Sequence, residues 1–302
     1  MTLALEQLLN GVQLGIMLFL LAAGLTLVFG IMNIINLAHG SLYMIGAYGA
    51  AVVVARTGSF LLAVPAGLLA GFVAGLLIEF LIVRKLYNRD HLQQVLVTFG
   101  LMLFINEGAS ILFGRTPLFM AMPSFLSGSV EIIPGVAYPT YRVAIMVVGL
   151  MVAAGLYLLV NKTRIGMLVR AGSTHREMVR ALGVDIRILY TIVFGLGAVL
   201  SALAGLLAGP LLAVQVGMGE QILILTFVVV VIGGLGSVRG ALYGSLIVGI
   251  ADTMLRAFLP RILSTFMPVA DADALGGGVS SMGIYLIMAL VLLIRPQGLF
   301  SA

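Results

Sequence analysis

The chain contains no cysteine, and only 9% of its 302 residues are charged. The first absence excludes disulfides and thiolate metal sites. The second excludes a water-soluble globule, which carries roughly 45–50% apolar and about 25% charged residues. Here 62% are hydrophobic, so too little polar surface exists to face water on all sides, and lipid is the expected solvent. Lysine occurs twice, as Lys85 and Lys162, and neither follows glycine. A phosphate-cradling G-x-x-x-x-G-K-[ST] loop therefore cannot be written, and any ATP that drives this protein must be hydrolysed on another polypeptide. G-x-S-x-G is also missing, which removes the nucleophile elbow of a serine hydrolase. His39, His91 and His175 stand apart, at no spacing that would hold a metal. The first Lys or Arg is Arg56, so no basic region precedes the first apolar run, and that run is expected to remain in the membrane.

What is present is a series of uncharged apolar runs. They cover 8–29, 39–55, 60–83, 95–113, 142–160, 189–209, 221–235, 240–259 and 281–294. Runs of about 18 residues or more read as spanning helices. The pattern predicts an all-α polytopic membrane protein, a single domain over 1–302 with eight to ten crossings. The net charge of +5 does not point to nucleic acid, because the basic residues sit between the apolar runs. Arg84, Lys85 and Arg89 form one group. Lys162, Arg164, Arg170, Arg176, Arg180 and Arg187 form another within 161–188, against only Glu177 and Asp185. The positive-inside bias places both groups, and with them the C-terminus, in the cytoplasm. The loops 114–141 and 260–280 then face outward. Gly40-Ser-Leu-Tyr43 aligns with Gly240-Ala-Leu-Tyr243, Gly49 with Gly249, and His39 with Arg239. This weak internal repeat relates the halves 8–113 and 189–294, and transporters often build their path between such halves. Chance similarity of two glycine-rich helices is the competing explanation.

Polar residues interrupt one long apolar run at Asn33, Asn36, His39, Gly40 and Ser41, with Tyr43 one turn on. In hydrocarbon such groups are costly unless they are paired or face water. A broken helix lining a translocation path accounts for them, as does a helix–helix turn with Asn36 or Ser41 as cap. In the second half, the run Gly233-Gly-Leu-Gly236-Ser237-Val-Arg239-Gly240-Ala-Leu-Tyr243 fails as a dinucleotide fingerprint, since Arg239 holds the last glycine position. Gly67, Gly71 and Gly75 form a stripe suited to close helix packing. Of the acids in or beside the spans, Glu79 lies one turn from Arg84 and Asp252 four residues before Arg256. Glu220 ends a span, and Glu107 has no obvious partner. No charged pair in the spans announces a zwitterion site. Within 161–188 a short surface helix is expected from Thr174 to Leu182, ended by Gly183. Met178, Ala181 and Leu182 would give it an apolar edge for docking on another protein, or for lying on lipid headgroups.

Taken in order, these motifs resemble the permease subunits of branched-chain amino acid ABC importers. The matching parts are Gly24-Leu-Thr26-Leu-Val-Phe-Gly30, Asn36-Leu-Ala-His39-Gly40 and Tyr43-Met-Ile-Gly46-Ala-Tyr48. They continue with Arg164-Ile-Gly166, Arg170-Ala171, Ala181-Leu-Gly183, Gly233 to Ser237 with Gly240-Ala241, and Arg295-Pro-Gln-Gly-Leu299. Arg239 departs from the family, where that position is often Pro or small. The resemblance implies a bacterial inner-membrane location and a second, homologous permease. It also implies two cytoplasmic ATPase subunits carrying ATP and Mg, and a periplasmic substrate-binding protein. Segment 161–188, with Arg164, Gly166, Arg170, Ala171, Met178, Ala181, Leu182 and Gly183, would couple to the ATPases. Asn33, Asn36, His39, Gly40, Tyr43, Gly236, Ser237, Gly240 and Tyr243 are the candidates for the path. Urea, amides or other small solutes are alternative cargoes within the same family. A gradient-driven carrier or channel, and a scaffold without transport, are the readings outside it.

Overall fold

A computed structural model describes residues 2–133, 135–174, 176–181 and 183–300. Among these, eleven helices carry the chain. They are α1 (Thr2–Met32), α2 (His39–Thr57), α3 (Phe60–Leu86), α4 (His91–Phe113), α5 (Thr140–Lys162) and α6 (Arg164–Thr174). Then follow α7 (Arg176–Ala181), α8 (Ile186–Ala208), α9 (Met218–Gly233), α10 (Val238–Leu263) and α11 (Val269–Ile294). A two-stranded antiparallel hairpin, β1 (Ser129–Ile133) with β2 (Val136–Pro139), is folded into the predicted outer loop. Each of the nine apolar runs became a helix.

The number of crossings is smaller than eight to ten. Six helices are long and apolar enough to cross a membrane: α1, α3, α4, α5, α8 and α11. A seventh crossing is reached if α9 and α10, bent by 118° at their junction, count as one broken span. The predicted outer loop 260–280 is also shorter than expected. α10 runs through Pro260 to Leu263, and Asp271 and Asp273 already lie in α11.

The core is α1 and α8, which are hydrophobic all round and mostly buried. α1 packs on α10, α8, α5 and α9, while α2 packs on α3, α8 and α9. Small residues set these distances, because in lipid close van der Waals fit holds helices together. The stripe Gly67, Gly71, Gly75 lies against Gly46, Ala202 and Ala198, as the sequence pattern predicts. The outward faces of α3, α4, α5 and α11 expose leucine, phenylalanine and methionine, consistent with a lipid boundary. One end of the bundle, which charge assigns to the cytoplasm, gathers the α1–α2 junction, α6, the α9–α10 junction and the C-terminal segment. The opposite end gathers Asn10, Tyr138, Arg142 and Arg256.

Candidate functional site: a buried helix break and the cleft beside it

The polar interruption of the first apolar run is a break in the helix. At the end of α1, Asn33 adopts φ +52, a left-handed conformation that Asn tolerates better than most residues, and its side chain is exposed. The chain then turns inward, and Ile34, Asn36, Ala38 and His39 are all 0% exposed. Non-helical backbone at such depth requires polar partners, because no water satisfies it. α4 supplies them. Gln94 Oε1 accepts the Ile35 N–H at 3.3 Å and Thr98 Oγ1 accepts the Leu37 N–H at 3.2 Å. Gln94 is held in turn by donating to the Leu86 and Arg89 carbonyls at 3.3 and 3.0 Å. Asn36 Oδ1 accepts the Ala38 N–H at 3.1 Å, and the Ser201 hydroxyl donates to the His39 carbonyl at 2.9 Å. Sequence reasoning missed Gln94 and Thr98, although they form an i, i+4 polar pair on an apolar helix.

Several polar atoms around the break find no partner among the described residues. Thr26 Oγ1, Asn36 Nδ2, Ser41 Oγ and the Tyr48 hydroxyl are buried without a hydrogen bond. The His39 ring lies against the Leu21 backbone but makes no hydrogen bond of ordinary geometry. Buried polar groups are rarely left open in native proteins, and those that are point to water, ions or function. Gly40 and Tyr43 continue the buried face, Gly40 backing directly onto Gly219 of α9 and Tyr43 onto Gly205 of α8.

The residues predicted in the second half do not join this cluster as a group. Gly236 (φ +87) lets the α9–α10 turn approach Gly30 of α1 so closely that a Cβ there would stand 3.0 Å from the Gly236 Cα. Ser237 Oγ accepts the Gly240 N–H at 3.1 Å and caps α10. Gly240 itself packs on Gly233, and Tyr243 is turned away, 51% exposed and stacked on Phe300 at 5.0 Å. Gly236 and Ser237 instead line a cleft of about 380 Å³ with Thr26, Gly30, Tyr157 and Arg170. Arg239, the departure from the family pattern, also lines it, its guanidinium 5.7 Å from the Tyr157 ring centre. Thr26 is the link between the two groups, because it belongs to both the cleft and the unpartnered set. The C-terminal run seals the turn from behind: Leu299 and Phe300 donate their N–H groups to the Ile232 and Gly233 carbonyls at 2.9 and 3.0 Å.

The basic segment 161–188 holds two helices, α6 and α7, where one from Thr174 to Leu182 was expected. Thr163 starts α6 by accepting the Gly166 N–H at 3.1 Å. Gly166 is buried against the Leu159 and Val160 carbonyls, where any side chain would collide, and Arg170 donates to the Val160 carbonyl. Arg164, Ala171, Met178 and Ala181 are exposed, whereas Leu182 lies outside the described residues. Gly183 follows α7 with φ +83, the left-handed stop predicted for it. The segment leads into α8, where Thr191 meets a buried network. Glu79, with its side chain 0% exposed in a π turn of α3, accepts from Arg84 at 3.2 and 3.0 Å and from Thr191 at 3.1 Å. The Tyr87 hydroxyl also donates to it, and burial, with that bond second, pushes the Tyr87 phenol well above its ordinary range. Asp252 pairs with Arg256 at 2.9 Å as its spacing predicts, and Glu107, expected to be alone, has Arg115 at 4.0 Å, both side chains exposed.

Irregular backbone buried among spanning helices, with polar side chains left open beside a cleft, defines a polytopic α-helical membrane protein of the transporter class. Sequence comparison makes the assignment specific. The chain belongs to the family described as the permease component of the branched-chain amino acid transport system, whose profile matches residues 7–294. It is 30% identical to the high-affinity branched-chain amino acid transport system permease protein BraD of Pseudomonas aeruginosa, covering 98% of this chain and 95% of that one. It is 28% identical to the corresponding permease LivH of Escherichia coli K12, over the same shares. A probable LivH permease of Methanocaldococcus jannaschii is 28% identical over 94% of this chain and 88% of its own.

Proposed function

We propose that this chain is the membrane-spanning permease subunit of an ATP-driven importer for branched-chain amino acids. The observation that carries this reading is the buried break at 33–38, non-helical and propped by Gln94 and Thr98, in a chain of this family. Asn36, His39, Gly40 and Ser41 together with Thr26, Gly236 and Ser237 form the part of the path that this subunit contributes. A second permease completes it, two ATPases bind from the cytoplasm, and an external binding protein delivers the amino acid. The absence of any G-x-x-x-x-G-K-[ST] loop supports hydrolysis on partner subunits.

The α6–α7 segment is the element that docks on an ATPase. Its exposed Met178 and Ala181 offer an apolar edge, and Gly166 ties α6 rigidly to α5. Docking becomes movement only if those contacts differ between two states of the assembly. Glu79, Arg84 and Thr191 then connect α8, the helix leaving this segment, to α3.

The test is uptake in proteoliposomes. The full assembly with its binding protein should accumulate leucine, isoleucine and valine only when ATP is supplied inside the ATPase-facing compartment. The purified chain alone should accumulate none. Gradient-driven uptake by the chain alone would refute the reading.

A further inference from the structure

At the outer end, α1, α5 and α10 enclose a second cleft of about 470 Å³, within the range of small-molecule sites. Its walls carry Arg142, Asp252 and Arg256 with the amides of Gln7, Asn10 and Gln13. Asp252 is buried, its side chain 7% exposed, and both its oxygens accept from Arg256 Nε at 3.0 and 2.9 Å. The two terminal nitrogens of Arg256 make no hydrogen bond among the described residues. Arg142 donates to Asn10 Oδ1, which also accepts from the Tyr138 hydroxyl at 3.1 Å. Among the described residues Arg142 has no carboxylate at ion-pair distance. Two guanidinium groups and one carboxylate, which pairs with Arg256 alone, therefore line one cleft of an apolar bundle.

We infer that this cleft holds the headgroup of a zwitterionic α-amino acid, with its carboxylate on Arg142 and its ammonium on Asp252 and Gln7 Oε1. The inference rests on the amino-acid substrate class proposed above and adds where the permease first contacts it. The planar Arg fork matches a carboxylate in two parallel hydrogen bonds, and Arg142 is the cation that lacks one. An ammonium brings three donors and no acceptor, which suits a carboxylate and an amide oxygen. Leu14 and Ala257 supply apolar wall for an aliphatic side chain. The sequence did not announce the site, because Arg142 is 110 residues from Asp252 in the chain and the two line one cleft only through the packing of α5 and α10 on α1.

The experiment uses Thr253→Cys in the cleft wall, in the complete importer with cysteine-free partners, reconstituted without its binding protein. An impermeant maleimide reads access. Leucine should slow labelling severalfold, whereas isoamylamine, which lacks the carboxylate, and 4-methylpentanoate, which lacks the ammonium, should not. Arg142→Gln should raise the leucine concentration for half-protection about ten-fold or more, as expected for a lost charge-assisted contact. Should Arg142→Gln fail to fold, Arg142→Lys keeps the charge, loses the fork and should weaken protection to a lesser degree. Equal protection by 4-methylpentanoate would make this a plain anion site. Labelling that ignores leucine and speeds up in vesicles without phosphatidylethanolamine would make it a lipid-headgroup site. No protection by any compound would make it an empty cleft. Each of these three results overturns the inference. ATP-driven leucine uptake in the same vesicles, with the binding protein added, separates the two failures. Intact uptake without protection removes only this site, while absent uptake removes the substrate reading itself.

Discussion

The two breaks between helices, α1–α2 and α9–α10, solve one problem in opposite ways. The α1–α2 break carries its backbone into the core and relies on side chains of a third helix, Gln94 and Thr98 of α4. The α9–α10 break stays at the end of the bundle, and the backbone of the C-terminal segment covers it through Leu299 and Phe300. Its remaining needs are met locally, by the Ser237 cap and by glycines at 234 and 236 with φ of +104 and +87. Among the described residues, the first arrangement leaves side-chain polar atoms open in the interior, and the second leaves none. A break that is held by removable side chains and leaves polar atoms of Asn36, Ser41 and Thr26 without partners is suited to meet a solute. A break closed by backbone is suited to hold the shape of the cleft wall that Gly236 and Ser237 form.

That contrast can be broken by mutation, and the largest effect is expected at the first break. Gln94→Ala with Thr98→Ala leaves the Ile35 and Leu37 N–H groups without acceptors. The combined cost should be about 3 kcal/mol, summing two partly buried unmet donors. Thermal unfolding of the purified protein in detergent should show it, and uptake by the assembled importer should be lost. Removing Leu299 and Phe300 deletes two backbone hydrogen bonds over the second break and should cost about 2 kcal/mol. Uptake by the fraction that folds should persist, because no open polar group is disturbed. Ser237→Ala removes the α10 cap and should cost about 1 kcal/mol in the same assay. Asn33→Gly, at the exposed left-handed position, should change stability by less than about 0.5 kcal/mol and leave uptake unaffected. If the tail truncation abolished uptake in the folded fraction while the Gln94/Thr98 pair did not, the roles of the two breaks would be reversed.

A separate pair of variants sharpens the proposed coupling role of α6–α7. Gly183→Val forces a β-branched residue into φ +83, while Ala181→Glu places a charge on the exposed edge without altering the backbone. Both should reach the membrane at normal levels and lose substrate-stimulated ATP hydrolysis in the assembly. Normal turnover in both would leave the segment as a charged topological anchor.

Helix positions were legible because lipid enforces long apolar runs, and every run gave a helix. The polar interruption at 33–41, which contains the break at 33–38, was legible for the complementary reason, since polar groups in such a run demand an explanation. The number of crossings was not legible. α2 is an apolar run too, but His39, Ser41, Tyr43 and Tyr48 make it less apolar than the spans, and the 118° bend at α9–α10 leaves no local mark beyond glycine. α10 runs four residues past the apolar run 240–259, with the Pro260 ring packed against Gly276 of α11. The pairings of Gln94 and Thr98 with the break, and of Arg142 with Asn10, join residues 59 or more positions apart. Nothing local encodes them. In the basic segment, the residue types predicted a surface helix, but only the Thr163 cap and the close fit of Gly166 explain why α6 begins ten residues earlier.

Whether the buried break belongs to the solute path is tested by Ser41→Cys, with little change in side-chain size. The native chain contributes no background thiol. In the assembled importer with cysteine-free partners, a small impermeant thiol reagent should modify Ser41→Cys during ATP-driven turnover and not when turnover is blocked. Normal leucine uptake by Ser41→Cys, with the thiol unreactive in every state, would contradict the account.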